Sequence, residues 1–233
     1  MSVTHLPFLF SHISLYVVQT PQGPVLIDTG LPGMSRWIMQ KLHACGVRPS
    51  ELAGVIITHS HLDHIGSAGA FAKLGVPIFA HHRELPILHG TEPSPPYGDN
   101  ISGKTIAWAQ GLLPKPKPMP EAQPLYDEQS ILGSSWQVIP APGHSPGSMA
   151  LWNTDTGDLI TGDTLVTAFG RPSGPHPVYT ANLPLAQASA RALLDLGPKR
   201  ICPGHGPVVE ASRFERLRFE LSSTNIACMA HGS

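Results

Sequence analysis

The most constraining feature of this sequence is a group of metal-competent side chains that directly follows an apolar segment. Residues 53–58 (AGVIIT) form a continuous apolar run of strand length, and the next six residues are HSHLDH. Because residues i and i+2 of an extended segment point to the same side, His59 and His61 can converge on one ion. Asp63 and His64 follow the turn and can bind at a position next to that ion. Two ions close together fit this pattern better than one.

Three later segments have the same character, because each places one His or Asp beside Gly or Pro at a predicted strand end. They are PGHSPG at 142–147, TGDT at 161–164 and PGHG at 203–206. Glycine lets the backbone approach a metal closely, and strand ends hold ligands rigidly. Imidazole and carboxylate ligands without thiolate suit zinc, iron or manganese rather than a closed structural zinc site. The other eight of the 13 histidines lack this context, and we interpret them as ordinary residues.

Around these segments, predicted strands alternate with predicted helices, which indicates an α/β fold. An opening hairpin is predicted from strands at 12–19 and 24–28, which are joined by turn residues. Further strands are predicted at 53–58, 76–80, 136–140, 148–153, 158–161 and 199–202. Helices are predicted from Met34 to Cys45, at 67–74, at 82–89, over the apolar stripe Leu185, Ala188, Ser189, Ala192, Leu193 and Leu196, and from about Ser212.

Residues 90–124 depart from this alternation because they are rich in proline. The run at 114–120 (PKPKPMP) favours extended polyproline geometry. We interpret 90–124 as a surface insertion in a single domain that covers 1–233. Its Tyr97 and Trp108 can supply an apolar wall beside the metals, and a meander without substrate contact is the alternative. For the proline run itself, a ligand for an SH3 or WW domain is the alternative interpretation.

Composition and charge limit the classes of binding partner that the chain can have. The chain has 15 Lys and Arg against 16 Asp and Glu, so no positive field exists to hold nucleic acid. No stretch reaches about 18 apolar residues, which argues against a membrane span, and the first 18 residues contain no Lys or Arg, which argues against a secretory signal. The three cysteines are widely spaced, and we expect free, buried thiols. We expect a cytoplasmic protein; its oligomeric state stays open.

In order and spacing, these motifs and the earlier VLIDTG at 25–30 resemble the metallo-β-lactamase superfamily from residue 12 to about 210. The resemblance implies a four-layer αββα sandwich, a mixed α/β (α+β) fold, with its metal site at one edge between the sheets. The ligand sets that it implies are His59, His61 and His144 for a first ion, Asp63, His64 and His205 for a second, and Asp163 as a bridge. Asp28 is then a carboxylate that orients a ligating histidine. A turn-forming aspartate is the alternative for that residue.

The motifs are most similar to the glyoxalase II and lactonase-like branch, in which PGHxPG precedes the GD loop. This resemblance implies a dinuclear hydrolase that cleaves a small ester, thioester or lactone with a metal-bound hydroxide. The cofactors expected are two divalent ions, zinc first and iron or manganese as alternatives, with Asp63 as the proton acceptor. The expected partner is a small-molecule carbonyl substrate, with neither nucleic acid nor membrane involved.

The choice of substrate depends on weaker features. Glyoxalase II carries an additional helical domain, whereas only 28 residues follow His205 here. Glutathione contacts, if made, fall to Lys199, Arg213 or Arg216. The lactonases use a tyrosine after the bridging aspartate, and Tyr179 is the tyrosine in that region, with a packing role as the alternative.

Other functions fit the sequence less well. A mononuclear iron oxidoreductase resembling the persulfide dioxygenases is the main alternative, although it does not need the second set of ligands. A flavodiiron protein requires Glu where Leu62 or Asp63 stands. Nucleases of the superfamily carry a larger insertion or a basic arm, and a non-catalytic scaffold would tolerate the loss of ligands.

Overall fold

The structure of the chain, a computed structural model, describes residues 3–94, 98, 101–110, 112, 116–167 and 170–230. The first sheet has six strands in the order β1 to β6, and the second has five in the order β11-β10-β9-β8-β7. The first sheet contains β1 (Thr4–Phe8), β2 (Ile13–Thr20), β3 (Gly23–Ile27), β4 (Gly54–Ile57), β5 (Ile78–His81) and β6 (Gln123–Leu125). The second contains β7 (Trp136–Pro140), β8 (Met149–Asn153), β9 (Asp158–Gly162), β10 (Arg200–Pro203) and β11 (Val209–Glu210).

Helices lie between these strands. The α-helices are α1 (Ser35–Ala44), α2 (Leu62–Ile65), α3 (Ala68–Ala72), α4 (Leu85–Leu88), α5 (Ile101–Gln110), α6 (Leu183–Asp195) and α7 (Glu215–Ala230), and single 3-10 turns cover Pro49–Glu51 and Ala211–Phe214. Within the described ranges, no helix has both the length and the apolar character needed to cross a membrane.

The predicted opening hairpin is formed by β2 and β3, which pair antiparallel with Tyr16 opposite Ile27. Its turn ends at Gly23, whose φ of +126° is readily adopted only by glycine. From β3 to β6 the strands run parallel, as do β9 and β10. The sequence did not indicate β1, which pairs with β2 at the edge of the first sheet and buries Leu6.

Alternation along the strands builds separate cores on the two faces of each sheet. In β2, Leu15 and Val17 pack in a cluster with residues of α1 and α3, whereas Tyr16 and Val18 face the second sheet. In β8, Leu151 faces the first sheet, and Ala150 packs with residues of α6. The order of layers is therefore helix, sheet, sheet, helix, and the predicted αββα sandwich is confirmed.

The space between the two sheets is filled by large apolar side chains. Trp136 is completely buried there, together with Val138, Leu151 and Ile160 of the second sheet. Fully burying an apolar side chain contributes about 1.5–3 kcal/mol relative to leaving it exposed. This layer fixes the two sheets against each other, and so fixes the loops at their common edge.

Helix α6 lies where the apolar stripe predicts a helix, but Ser189 and Leu193 are the residues of that stripe that are buried. Leu185 and Leu196 are 43% and 40% exposed, while Ala186, Ala190 and Leu193 are buried. A Cβ on Gly143 would lie 2.2 Å from the backbone nitrogen of Ala186, which shows how closely the preceding loop approaches the helix. The small residue Ala186 is therefore buried against this loop, and the adjacent Leu185 is exposed.

Two further observations were not expected from the sequence. Residues 101–110 of the proline-rich insertion form helix α5, and Tyr97, Pro114 and Lys115 lie outside the described residues. Cys202 is buried as expected, and burial raises its pKa to about 12. Cys45, however, is exposed because it lies in the turn that follows α1.

Candidate metal centre

Several loops at strand ends meet at one edge of the sandwich. His59 follows β4, Asp163 follows β9 and His205 follows β10, while His144 lies in the loop between β7 and β8. Because the carboxyl ends of parallel strands lie at the same edge of a sheet, residues distant in sequence are brought together here. Two groups of metal-competent side chains result, and together they contain all seven predicted ligands.

The first group contains His59, His61, His144 and Asp163. Nε2 of His144 lies 3.1 Å from Nε2 of His59 and 2.9 Å from Nδ1 of His61. Oδ2 of Asp163 lies 3.5 Å from Nε2 of His144 and 3.9 Å from Nε2 of His59. All three histidines are buried, and their ring nitrogens face one another.

The second group contains Asp63, His64 and His205. Oδ2 of Asp63 lies 3.3 Å from Nε2 of His205 and 4.0 Å from Nε2 of His64. His64 is buried, but the side chains of Asp63 and His205 are 26% and 25% exposed. This side of the site is therefore the side that solvent can reach.

Asp163 lies between the two groups. Its Oδ1 is 3.3 Å from Nε2 of His64, and its Oδ2 is 3.1 Å from Nε2 of His205. The same Oδ2 faces His144 of the first group. A single carboxylate thus contacts ligands of both groups, as a bridging residue must.

The residues present fit divalent ions. Nε2 of His64 and Oδ1 of Asp163 are buried and make no hydrogen bond within the part of the chain that the structure describes. A Cβ on Gly204 would lie 2.6 Å from Oδ1 of Asp163 and 2.8 Å from Cε1 of His64, so a glycine is needed for this approach. Imidazole nitrogens and carboxylate oxygens at such convergent positions are the donors that zinc and related metals take from proteins.

The two groups differ in their protonation. Burial lowers the pKa of His61 to about 4 and that of His144 to about 3, and it holds the pKa of His59 well below its usual value. These imidazoles are therefore neutral near pH 7, and neutral imidazole is the form that binds metals.

In the second group the carboxylates dominate. Burial by itself lowers the pKa of His64 and of His205, but the negative charge of Asp163 outweighs it and holds both well above 6.5. The nearby histidines in turn hold the pKa of Asp63 below its usual range, against the effect of burial. The second group is therefore a compact set of opposite charges, and its histidines must release protons when they bind a metal ion.

Asp28 follows β3 and contacts the second group from behind. Its Oδ2 accepts a hydrogen bond from Nδ1 of His64 at 2.8 Å, and Thr58 donates to the same carboxylate from both its backbone N–H and its hydroxyl, each at 2.8 Å. Asp28 also has a φ of +61°, a left-handed conformation that aspartate adopts more readily than most residues. It therefore both turns the chain and touches the ring of a predicted ligand.

Other supports for the histidines were not apparent from the sequence. Nδ1 of His144 lies 3.2 Å from the hydroxyl of Thr180, and Nδ1 of His59 lies 3.2 Å from the hydroxyl of Thr58. Nδ1 of His205 is hydrogen bonded to the backbone carbonyl of His12. Partners of this kind fix the tautomer and direction of a ligating ring. Single hydroxyls and a backbone carbonyl form no sequence pattern, so Asp28 is the support that the sequence predicts.

A cavity of about 400 Å³ opens beside His205. It is lined by Phe10, Ser11, His12, Gly170, His205, Gly206 and Pro207. Phe10 is completely exposed, and it lies in a loop where Leu9, Phe10 and Ser11 have φ values of 45°, 55° and 67°. This loop was not predictable from the sequence, because its apolar residues continue the apolar character of β1.

The residues proposed as substrate contacts lie in different surroundings. Tyr179 is 39% exposed, and its ring lies 5.2 Å from that of His176. It is the residue before Thr180, whose hydroxyl lies 3.2 Å from Nδ1 of His144. Trp108 is exposed on α5, where it lines a separate cavity of about 350 Å³ with Ile101, Lys104 and Thr105.

The basic residues considered for glutathione are engaged elsewhere or lie at the surface. Arg213 donates to the carbonyl of Gly170 at 2.9 Å, and Arg216 pairs with Glu220 on the surface of α7 at 2.8 Å. The side chain of Lys199 packs beside Gly157, at the opposite end of β9 from Asp163.

A family model described as the metallo-beta-lactamase superfamily matches residues 10–205. The chain belongs to the metallo-β-lactamase superfamily. Members of this superfamily bind divalent metals, often two, and most are metal-dependent hydrolases.

Two proteins from Bacillus subtilis (strain 168) are similar to this chain over most of their length. The probable metallo-hydrolase YflN is 28% identical over 228 residues, which cover 90% of this chain and 86% of the relative. The uncharacterized protein YobT is 31% identical over 232 residues, which cover 93% and 91%. Among solved structures, TTHA1623 in a di-iron-bound form has 27% identity and a TM-score of 0.70, with 91% of this chain and 97% of that chain covered.

Proposed function

We propose that this protein is a dinuclear metal-dependent hydrolase that cleaves an ester, thioester or lactone bond in a small carbonyl substrate. The observation that supports it most is the position of Asp163, whose Oδ2 lies 3.5 Å from Nε2 of His144 and 3.1 Å from Nε2 of His205. An arrangement with one ligand group on each side of a shared carboxylate suits two ions close together. A site for one ion would not need the second group.

Two divalent ions held by these two groups would lower the pKa of a water molecule and polarise a carbonyl oxygen. The chain's own residues supply the rest. The three histidines of the first group are buried and fixed, whereas Asp63 lies on the solvent side with Oδ2 facing His205. We assign Oδ1 of Asp63 as the atom that accepts the proton from the attacking water and passes it to the leaving group.

We assign zinc as the metal, because the site offers only imidazole and carboxylate donors, which zinc binds well. Iron and manganese accept the same donors. The di-iron-bound form of TTHA1623 supports iron as the first alternative. Metal analysis of the purified protein distinguishes these ions.

The surroundings of the site favour a small substrate. The cavity of about 400 Å³ beside His205 matches the size of a small-molecule site, and Phe10 gives it an apolar wall. With 15 basic against 16 acidic residues, the chain offers no field to attract a polyanion. These features, with the PGHSPG motif, support a glyoxalase II-like or lactonase-like substrate over a nucleic acid.

A kinetic panel tests this proposal. Thioesters, lactones, carboxylic esters and phosphodiesters are compared at equal metal loading, and kcat/KM is measured for each class. We expect one of the carbonyl classes to give the highest value. A phosphodiester turned over with a higher kcat/KM than every carbonyl substrate would overturn the proposal, and oxygen uptake with a persulfide substrate would replace it with an oxidoreductase.

A further inference from the structure

A fully buried carboxylate, Glu84, lies outside both ligand groups. It follows β5 at the start of α4, where its backbone N–H donates to the carbonyl of His81 at 2.8 Å. Its exposed fraction is 0%. Burying a carboxylate costs several kcal/mol unless hydrogen bonds replace its water. The partners of Glu84 therefore indicate what the fold gains from it.

Both oxygens of Glu84 bind segments that carry predicted metal ligands. Oε2 accepts a hydrogen bond from the backbone N–H of Ser60 at 2.9 Å. Oε1 accepts one from the hydroxyl of Ser145 at 2.6 Å and one from the backbone N–H of Gly147 at 2.7 Å. Ser60 stands between His59 and His61, and Ser145 follows His144. One carboxylate thus joins the two loops that supply all three histidines of the first group.

The PGHSPG segment is built around this contact. A Cβ on Gly147 would lie 2.8 Å from the backbone nitrogen of Glu84 and 2.9 Å from its Cγ, so only glycine permits the approach. Ser148 lies with its hydroxyl 2.7 Å from that of Ser145 and accepts from the Ser145 backbone N–H at 2.9 Å, which fixes the direction of the Ser145 hydroxyl. Ser145 and Gly147 of this motif therefore both bind the carboxylate of Glu84.

We infer that Glu84 is a positioning residue that sets the metal affinity of the first group by holding the loops 59–61 and 144–147 together. The inference rests on the proposed function in so far as that group binds a metal. Rings that are held in place before the ion arrives lose less conformational entropy when it binds. The loops are 83 to 85 residues apart in sequence, so local structure alone does not hold them in register.

The substitution Glu84→Gln tests this role with little change of shape. A glutamine offers one oxygen and one NH₂ group, so it cannot accept hydrogen bonds from the Ser60 side and the Gly147 side at once. One buried backbone N–H then faces another donor, and one loop loses its anchor. Loss of comparable supporting contacts lowers metal affinity by about 10- to 100-fold.

The two groups are measured separately in the full chain. Co²⁺ is titrated into metal-free protein and followed by visible absorption, with His205→Ala to report the first group and His61→Ala to report the second. In the His205→Ala background, which reports the first group, we expect Glu84→Gln to weaken Co²⁺ binding by about 10- to 100-fold. In the His61→Ala background, which reports the second group, we expect it to weaken Co²⁺ binding by less than about twofold. Ser145→Ala removes a single donor, and we expect a smaller, few-fold loss confined to the same group.

Asp158→Asn is the matched control, because it removes another buried carboxylate at the opposite end of β9 from Asp163. We expect it to leave both Co²⁺ affinities unchanged even where it lowers the Tm. The role of Glu84 is overturned if the first group binds Co²⁺ with wild-type affinity in both Glu84→Gln and Ser145→Ala. Because the chain would still bind Co²⁺, that result would leave the proposed function standing. Equal losses at both groups, reproduced by Asp158→Asn, would overturn it in favour of general destabilisation. If the unmodified chain binds no Co²⁺, the proposed function fails as well.

Discussion

Oδ2 of Asp28 lies 2.8 Å from Nδ1 of His64, on the edge of the ring opposite to the nitrogen that faces Asp163. The carboxylate is itself held by two hydrogen bonds from Thr58, the residue before the first histidine of the HSHLDH segment. The ends of β3 and β4 are therefore connected through the side chain of Asp28. This contact links the packing of the first sheet to the direction of a predicted ligand.

Replacing Asp28 by Asn should weaken the second group. Asparagine tolerates the left-handed φ of +61° but carries no charge to hold the proton on Nδ1 of His64. We expect affinity for the second ion to fall about 10- to 100-fold, measured by competition with a chelating dye. Glu128→Gln is the control, since Glu128 has the same φ and is exposed far along the chain. Equal affinities in Asp28→Asn and the control would show that the carboxylate does not support the ligand.

Gly204→Ala should disturb the centre without disturbing the fold. Its Cβ would meet Oδ1 of Asp163 at 2.6 Å, so the carboxylate between the groups must move. A shift of about 1 Å in a positioned group can cost about 100-fold in rate, and we expect losses of that order in kcat. Gly69→Ala is the matched control, because nothing lies within 4 Å of its Cβ position in helix α3. Normal activity in Gly204→Ala would contradict the described geometry.

Eight of the eleven strands in the described residues were predictable, because each is a short apolar or β-branched run between turn residues, whereas β1, β6 and β11 were not indicated. The ligands were predictable because they follow the ends of those runs, four of them within HSHLDH and the other three beside Gly. Glu84 was not, since its importance comes from loops brought next to it only in the fold. The inward face of α6 was predicted only in part, because the spacing that marks Leu185 and Leu196 is equally helical for Ala186 and Ala190. Which stripe of α6 faces the second sheet depends on how closely Gly143 packs against Ala186.

Phe10 should contribute to substrate binding more than Trp108. Both are exposed aromatic residues, but Phe10 lines the cavity that contains His205, and Trp108 lines a separate one. We expect Phe10→Ala to raise KM for the best carbonyl substrate about tenfold, or ~1.4 kcal/mol, with kcat little changed. Trp108→Ala should leave KM as it is. The reverse order of effects would assign the apolar wall to the proline-rich insertion.

The ion pair between Asp158 and Arg200 should make stability depend on pH. Arg200 donates to Oδ1 of Asp158 from Nε at 2.6 Å and to Oδ2 from Nη2 at 2.8 Å. Burial would raise the pKa of Asp158, but the hydrogen bonds from Arg200 outweigh it and hold that pKa below its usual value. A carboxyl group whose pKa is lower in the folded state stabilises the fold at pH values above its unfolded-state pKa, which is about 3.9 for aspartate. This stabilisation is lost as the pH falls through the folded-state pKa.

We therefore expect Asp158→Asn to lower the free energy of unfolding by about 1–2 kcal/mol near pH 7, a modest figure because the guanidinium is partly exposed. The difference from the unsubstituted chain should shrink as the pH falls below about 4. Urea unfolding of both proteins, each kept metal-free with a chelator, measures it. A difference that stays constant from pH 7 to pH 3 would mean that the ionised carboxylate is not responsible.

The most direct test of the central claim is a titration of the metal-free chain with Zn²⁺ while hydrolysis of the best carbonyl substrate is followed. The six ligands on the two sides of Asp163 predict that activity rises until two equivalents of Zn²⁺ per chain are bound and then stays level. Full activity at one equivalent, or no hydrolysis at any loading, would contradict a dinuclear hydrolase.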